Sequence, residues 1–337
     1  MASKTSRREF IKTTAAITAG LGFPYVIPSG VLAEPGRPGA NDRVNVGFIG
    51  LGGRGRGQLK NWKDTAIAVC DVDKNHLAEA IKVTDGKAEG YGDYRRILER
   101  KDVDAVLIST PDHWHALQTI HACQAGKDVY CEKPACNTIA EGQAMIRAVR
   151  RYKRVCQIGS QGRSLRASVA ACEYIRNGML GKVSKITCWH PVNPVGGNPA
   201  EDGTPPETLD WEMWLGPASW RAYNPSRAHF SFRYFLDLGG GNIRDRGAHV
   251  MSLATWFMEC DQSGPVSIEA KGKAPTSGIY DCPTEMEVVY QFKNPDWTLV
   301  WAQPGEKPPE FKKDHFGFKI WGEKDTLWFE GGDGGCG

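Results

Sequence analysis

Hydrophobic and polar positions follow two different rhythms along this chain. Between Arg43 and about Ser160, short apolar runs alternate with segments of helical period. The runs are Val44 to Ile49, Ala66 to Val69, Val103 to Ser109, Val129 to Cys131 and Val155 to Ile158. Between them, Leu59 and Trp62, Leu77 and Ile81, then Tyr94, Ile97 and Leu98 recur three or four residues apart. Near-continuous apolar strands suit a parallel sheet covered by helices on both faces, so the pattern predicts a doubly wound α/β sheet. Thr138-Ile139-Ala140-Glu141 is a capping box that begins a further helix.

After Ser160 the rhythm changes. Arg163 to Gly178 reads as a helix with Val169, Cys172, Ile175 and Met179 near one face, and Ser184 to Pro191 as a strand. Asn193 to Glu207 is rich in glycine and proline and reads as a loop at a substrate lip. Following Gly239-Gly240-Gly241, Asn242 to Met258 reads as a helix. In Glu285 to Lys293, Met286, Val288, Tyr290 and Phe292 share one face, and Asn294-Pro295-Asp296 turns the chain back into Trp297, Leu299 and Trp301. Phe318 to Trp321 and Thr326 to Phe329 form another hairpin. Period-two alternation of this kind predicts a half-exposed antiparallel sheet, hence a second domain of α+β type.

The first strand runs into Gly50-Leu51-Gly52-Gly53-Arg54-Gly55, which fits G-x-G-x-x-G, and the second ends at Cys70-Asp71-Val72-Asp73. Strand, glycine loop, helix, strand and terminal acid together specify a dinucleotide site. Gly50 permits the tight turn, Gly52 lets a pyrophosphate approach the backbone, and Gly55 lets the helix pack on the strand. The free N–H groups at the helix start, with Gly53 and Arg54, would face the anion. Asp71 follows Gly50 by 71 − 50 = 21 residues, where an acid bonds a ribose 2′-hydroxyl. That carboxylate favours NAD over NADP, and Arg54 and Arg56 would soften the preference. Ligands of an open parallel sheet sit beyond its carboxyl strand ends. This rule brings Thr110-Pro111-Asp112-His113-Trp114-His115 and Glu132-Lys133-Pro134 to the same rim.

Composition narrows the picture without redirecting it. The 337 residues suffice for two domains, and 41% hydrophobic and 24% charged content is ordinary for a globular chain. A net charge of +3, with no basic run interleaved with aromatics, gives no reason to expect a nucleic-acid partner. The ten cysteines show no paired C-x-x-C spacing and read as small buried hydrophobes, so no disulfide framework and no metal site is expected. Residues 1–33 read as an address. Ser6-Arg7-Arg8-Glu9-Phe10-Ile11-Lys12 is a twin-arginine sequence, a weakly apolar stretch follows, and Val31-Leu32-Ala33 ends in the small residue a signal peptidase accepts. This predicts export by the twin-arginine machinery to the periplasm. Residues 34–42 are a Pro/Gly linker, 43–160 the nucleotide-binding domain and 161–337 the second domain. The closing glycine-rich run, Glu330 to Gly337, suggests a sequence cut short at its C-terminus.

Val46-Gly47-Phe48-Ile49-Gly50-Leu51-Gly52, Ser109-Thr110-Pro111-Asp112-His113-Trp114-His115 and Cys131-Glu132-Lys133-Pro134 resemble the glucose–fructose oxidoreductase / inositol dehydrogenase / rhizopine-catabolism (Gfo/Idh/MocA) family, and within it the exported subgroup with twin-arginine leaders. The resemblance extends from residue 43 onward. It implies an N-terminal Rossmann domain and a second domain whose large open sheet builds a homo-oligomer, dimer or tetramer. It also implies cofactor contacts at Gly50, Gly52, Gly53, Arg54, Gly55, Asp71, Thr110, Pro111, His113, His115, Glu132 and Lys133.

Three residues stand out for chemistry. Lys133 follows a strand and precedes a proline, where its ammonium could orient the nicotinamide and polarise a substrate oxygen. Asp245 and His249 stand four apart on a helix and so project together. A histidine takes a hydroxyl proton near neutral pH, and the family pattern makes this pair the partners of the lysine. No third ligand at a telling spacing turns the pair into a metal site. Arg163, His190, Arg233, Arg244, Trp114 and Trp189 are further candidates for substrate contact. The expected reaction is hydride transfer from a secondary alcohol of a sugar or polyol to NAD. Export from the cytoplasm raises two alternatives with a retained, internally recycled cofactor: a sugar–sugar oxidoreductase and an NAD-dependent glycosidase. A sugar-binding protein without turnover is a third, against which the joint presence of Lys133, Asp245 and His249 argues.

Overall fold

A computed structural model describes residues 39, 43–197, 201–306 and 315–331. Residues 1–38 and 40–42, where a leader and most of a linker are expected, lie outside the described residues, as do 332–337. Among the described residues no helix is long and apolar enough to cross a membrane.

The first domain is built of β1 (Val46–Ile49), α1 (Gly53–Trp62), β2 (Ala66–Cys70), α2 (Lys74–Val83), β3 (Glu89–Tyr91), α3 (Tyr94–Glu99), β4 (Ala105–Ile108), α4 (Asp112–Gln124), β5 (Asp128–Glu132), α5 (Ile139–Tyr152) and β6 (Cys156–Gly159). The strands form one six-stranded sheet in the order β3-β2-β1-β4-β5-β6, every pair parallel. Strand order reverses between β1 and β4, which opens a crevice at their carboxyl ends. Apolar clusters cover both faces. Phe48, Leu51, Leu59 and Val69 lie on one side, and Ile49, Ile97, Val106 and Cys131 on the other. Leu59 is wholly buried, whereas Trp62 at the end of α1 is exposed. The capping box at Thr138 and Glu141 forms in full. The short strand β3 carries no apolar run to announce it, because it is an edge strand of only three residues, Glu-Gly-Tyr.

The second domain holds α6 (Arg166–Arg176), β7 (Val183–Trp189), α7 (Trp211–Leu215), α8 (Asn242–Asp245), α9 (Gly247–Phe257), β8 (Ser267–Lys273), β9 (Glu285–Lys293), β10 (Asp296–Gln303), β11 (Gly317–Gly322) and β12 (Thr326–Glu330). Its sheet has the order β12-β11-β7-β10-β9-β8. Four pairs are antiparallel, and the central β7–β10 pair is parallel. The β9–β10 hairpin closes where expected, but on the two residues Asn294 and Pro295, with Asp296 already paired to Lys293. Helices α6 and α9 pack on one face around Trp189, Trp297, Trp301 and Phe318.

Two expectations need correction here. The predicted helix from Arg163 begins with a separate 3-10 turn, Gln161–Ser164, so α6 starts only at Arg166. Its buried face is Ser168, Ala171, Cys172 and Ile175, while Val169 and Met179 are exposed. The predicted helix from Asn242 is two segments that meet at Arg246. Among the described residues nine cysteines are free, and seven of them are buried.

Candidate functional site

The glycine loop is shaped from both sides. Gly50 has φ +85°, and a Cβ there would stand 2.5 Å from the Thr110 nitrogen. A Cβ on Gly55 would stand 1.9 Å from the Gly50 carbonyl oxygen, so the close approach of α1 to the end of β1 requires glycine. Gly52 and Gly53 differ, because a Cβ on either would meet nothing within 4 Å. Their bare backbone faces open space at the start of α1, which has no side-chain cap on its first N–H groups. That is the cradle a pyrophosphate needs. Asp71 completes the turn at the end of β2, its Oδ2 accepting from Leu51 N at 2.6 Å and its Oδ1 from Asp73 N at 2.9 Å.

A cavity of about 410 Å³ runs from this loop to the second domain. Gly50, Gly52, Gly53, Arg54, Asp71, Thr110, Pro111, His115, Glu132, Lys133, Asp245 and His249 all line it. The volume falls in the range typical of a small-molecule or cofactor site, roughly 300–1,000 Å³. Gly55 lies behind the loop in the packing role just described. His113 is placed otherwise than expected. It is outside the lining, with Nε2 3.0 Å from the Trp214 carbonyl, and burial pushes its pKa down to about 4 despite that bond. Trp114 Nε1 donates to the same carbonyl at 2.9 Å. These two side chains tie the start of α4 to the second domain.

Glu132 lines the cavity as a hub. Its Oε1 accepts from Arg54 Nε at 2.7 Å, Gln58 Nε2 at 2.6 Å and Gln161 Nε2 at 2.8 Å. The glycine helix, the end of β5 and the start of the second domain thus converge on one buried carboxylate. His115 is a second fastening. Its Nδ1 faces the Pro134 carbonyl at 2.6 Å and its Nε2 the Thr110 carbonyl at 2.8 Å. Burial opposes a charge on this ring, but the neighbouring Cys131 and the two carbonyls outweigh it and hold the pKa above the ordinary histidine value. Imidazolium satisfies both carbonyls, whereas a neutral ring has one donor. The Lys133–Pro134 peptide next to it is cis.

Lys133 leaves the first domain to meet the second. Its Nζ donates to Asp245 Oδ1 at 2.6 Å and to the Asp245 carbonyl at 3.0 Å. Arg233 Nε lies 3.2 Å and Arg246 Nε 3.7 Å from Asp245 Oδ2. Burial alone would raise the Asp245 pKa, but Lys133, then Arg233 and Arg246, hold it well below the carboxylate range. Asp245 is therefore an anion that accepts and never donates. Asp112, at the start of α4, behaves oppositely. Burial raises its pKa to about 7; Asp245 adds to the rise, while Arg244, with Nη2 3.9 Å from Oδ2, and Lys133 oppose it. Two acids on one cavity thus titrate far apart, an arrangement that separates acid and base roles.

Of the further substrate candidates, Arg233 and Trp114 line the cavity and the other four do not. Arg163 is spent on Ser252 and Asp261, Trp189 is core, and Arg244 bonds Asn137 and the Cys136 carbonyl. The described part of the 193–207 loop does not form the lip. Buried Asn193 instead accepts from Asn242 N and donates to the Pro283 carbonyl, buttressing α8. The wall is supplied by Met213, Trp214, His229, Phe230, Phe232 and Arg233. The last four fall in the stretch from Tyr223 to Phe235, whose density of aromatics and arginine is their signal in the sequence.

Comparison with known proteins agrees with this geometry. Residues 44–160 match the oxidoreductase-family model of an NAD-binding Rossmann fold, and residues 168–302 match that family's C-terminal alpha/beta domain. A glycosyl hydrolase family 109 protein of Shewanella pealeana is 30% identical over 203 residues, 53% of this chain and 44% of that protein. An alpha-N-acetylgalactosaminidase of Shewanella oneidensis is 29% identical over 201 residues, 52% and 44% of the two chains. The chain thus spans less than half the length of these curated relatives. Among solved structures, the WlbA dehydrogenase of Chromobacterium violaceum in complex with NADH and UDP-GlcNAcA has a TM-score of 0.64 at 20% identity, covering 86% of this chain and 74% of that one. Levoglucosan dehydrogenase in complex with NADH and levoglucosan has a TM-score of 0.62 at 21% identity, covering 86% and 73%. Those two likenesses establish the fold. The glycine cradle, the acid at the end of β2 and both family matches converge, and the chain belongs to the Gfo/Idh/MocA oxidoreductase family with an NAD-binding Rossmann domain.

Proposed function

We propose that this protein oxidises a secondary alcohol of a sugar or polyol by hydride transfer to NAD. The observation that carries the reading is the bond from Lys133 Nζ to Asp245 across the two domains, on the cavity that also holds the glycine cradle and His249. Bound in the cradle, NAD would supply the hydride acceptor for the carbinol carbon. Asp245 fixes the Lys133 ammonium, which donates to the substrate oxygen. His249 takes the hydroxyl proton. The Glu132 hub and the His115 fastening hold the Lys133 turn against the cradle, so the lysine and the cofactor site keep their spacing.

The names of the glycosyl hydrolase relatives favour a second reading, in which the hydride returns to the substrate after a glycosidic bond has been cleaved. Buried Asp112, poised to carry a proton near neutrality, suits an acid step that simple oxidation does not need. The twin-arginine segment supports export to the periplasm, where a retained cofactor would be recycled, and the family resemblance supports a homo-oligomer. One experiment separates the readings. The protein is purified from the periplasm and denatured, and released nucleotide is assayed. Native protein is then incubated with sugars and glycosides. Stoichiometric NADH on adding NAD and a sugar supports the dehydrogenase, whereas bound NAD(H) with redox-neutral cleavage supports the glycosidase. Unchanged turnover in His249→Ala, with NAD bound as before, would remove His249 from the mechanism.

A further inference from the structure

Beyond Asp71, His76 and His229 on the cavity wall join the neighbouring Asp73 in a second group of titratable side chains that the proposed reaction does not use. Asp73 caps α2, its Oδ1 accepting from Asn75 N at 2.7 Å and His76 N at 3.4 Å. Its Oδ2 is turned the other way and meets His229 Nε2, from the second domain, at 3.0 Å. His76, in the first turn of α2, packs against His229 with ring centroids 4.5 Å apart. One ligand atom from each of Asp73, His76 and His229 lies within 4.8 Å of the others. A further carboxylate is at hand, since Asp71 Oδ2 is 3.5 Å from His76 Nδ1. Among the described residues, no lysine or arginine forms an ion pair with Asp71 or Asp73; both carboxylates are turned to imidazoles.

We propose that Asp73, His76 and His229 form a divalent-metal site, with zinc the fitting ion, that pins the second domain to α2 beside the ribose acid Asp71. Two imidazoles and one carboxylate are the borderline donor set zinc takes, with a water or Asp71 left for the fourth position. Ligand atoms around tetrahedral zinc, each about 2.0–2.2 Å from the metal, stand about 3.3 Å apart. The group therefore needs a contraction of roughly 1.5 Å at most from its 4.8 Å limit. His229 can supply it by side-chain rotation, being the most exposed of the three at 39% and set on a loop. Both imidazoles line the cavity, so the ion has an entry path. Sequence spacing hid the site, because His229 stands 229 − 76 = 153 residues from His76 and belongs to the other domain. It also departs from the expectation that the chain binds no metal.

The test titrates full-length, chelator-treated, nucleotide-free protein with Zn²⁺ and with Co²⁺. We expect one ion per chain, visible Co²⁺ bands of a low-coordinate nitrogen–oxygen site, and no sulfur-to-metal charge transfer from the chain's ten cysteines. His229→Gln and His76→Gln should each weaken Zn²⁺ binding at least tenfold and abolish the Zn²⁺-dependent rise in melting temperature. Circular dichroism of the metal-free variants shows that they are folded, and His229→Gln, on its exposed loop, keeps the test usable if His76→Gln is not. Binding that is unchanged in His229→Gln, that carries a thiolate band, or that is absent at millimolar metal overturns the proposal.

Discussion

Gly52 and Gly55 sit three residues apart in one motif, yet the structure assigns them opposite duties that the same substitution can separate. In Gly55→Ala the new methyl would stand 1.9 Å from the Gly50 carbonyl oxygen, which is backbone and cannot swing aside. Helix α1 must then back away from β1, an overpacking cost of about 1–3 kcal/mol. For a unit of this size, each kcal/mol lowers the melting temperature by about 2–4 °C, so nucleotide-free Gly55→Ala should melt roughly 2–12 °C early. In Gly52→Ala the methyl meets nothing within 4 Å, and φ of −63° suits alanine. The metal- and nucleotide-free protein should therefore melt within about 2 °C of the parent, because the poorer capping by alanine, roughly 0.5–1 kcal/mol, is offset by the roughly 0.4–1 kcal/mol gained from a less flexible unfolded chain. The methyl does occupy the space into which the pyrophosphate must come, and NAD affinity should fall at least a hundredfold, about 2.7 kcal/mol. Differential scanning fluorimetry on stripped protein reads the first effect and calorimetric NAD titration the second. Normal NAD binding by Gly52→Ala, or an unshifted melt in Gly55→Ala, would refute the division of labour.

Three further outcomes are expected. Asp245→Asn leaves Lys133, Arg233 and Arg246 without their shared anion; it should cost about 3–5 kcal/mol in denaturant unfolding and lower kcat by about 10²–10³. Asp112 is protonated in the fold up to pH about 7 but ionises near 3.8 once exposed, so folding binds a proton in that window. Its contribution to stability is present below the unfolded value and is lost as pH rises toward 7, by as much as roughly 4 kcal/mol. Asp112→Asn should flatten that decline in unfolding measured from pH 4 to 8, and a slope identical to the parent's would contradict the assignment. His113→Phe removes the donor that faces the buried Trp214 carbonyl but leaves the Trp114 bond in place, so a loss of about 1 kcal/mol is expected in urea unfolding.

The first domain was largely legible because its signals are local. An apolar run, a glycine loop and a strand-end acid sit within thirty residues, and the rule of carboxyl strand ends then gathers distant loops onto one rim. Lys133, Asp245 and His249 were singled out by a motif or an i, i+4 spacing, and one cavity is lined by all three. What escaped depends on tertiary placement. Gln58 and Gln161 are unremarkable in sequence, and their importance comes only from meeting on Glu132. His113 shares the motif of Thr110 and His115, but the helical turn of α4 points it at Trp214 instead of the cavity. The face of α6 was misread by one residue because Ser168 and Ala171 hide among the polar and small positions that hydrophobic periodicity ignores.

The parallel pairing of β7 with β10 at the middle of the second sheet has a consequence for how the protein is made. Ile186 pairs with Leu299, separated by 299 − 186 = 113 residues of chain. During synthesis the second sheet can have no centre until β10 has left the ribosome, whereas every strand of the first sheet is complete by Gly159. Vectorial folding therefore delivers a finished Rossmann domain first, with the Lys133 ammonium waiting for a carboxylate not yet translated. The nucleotide cradle exists before the chemistry does, and a cofactor captured at that stage would be walled in by the chain that follows it.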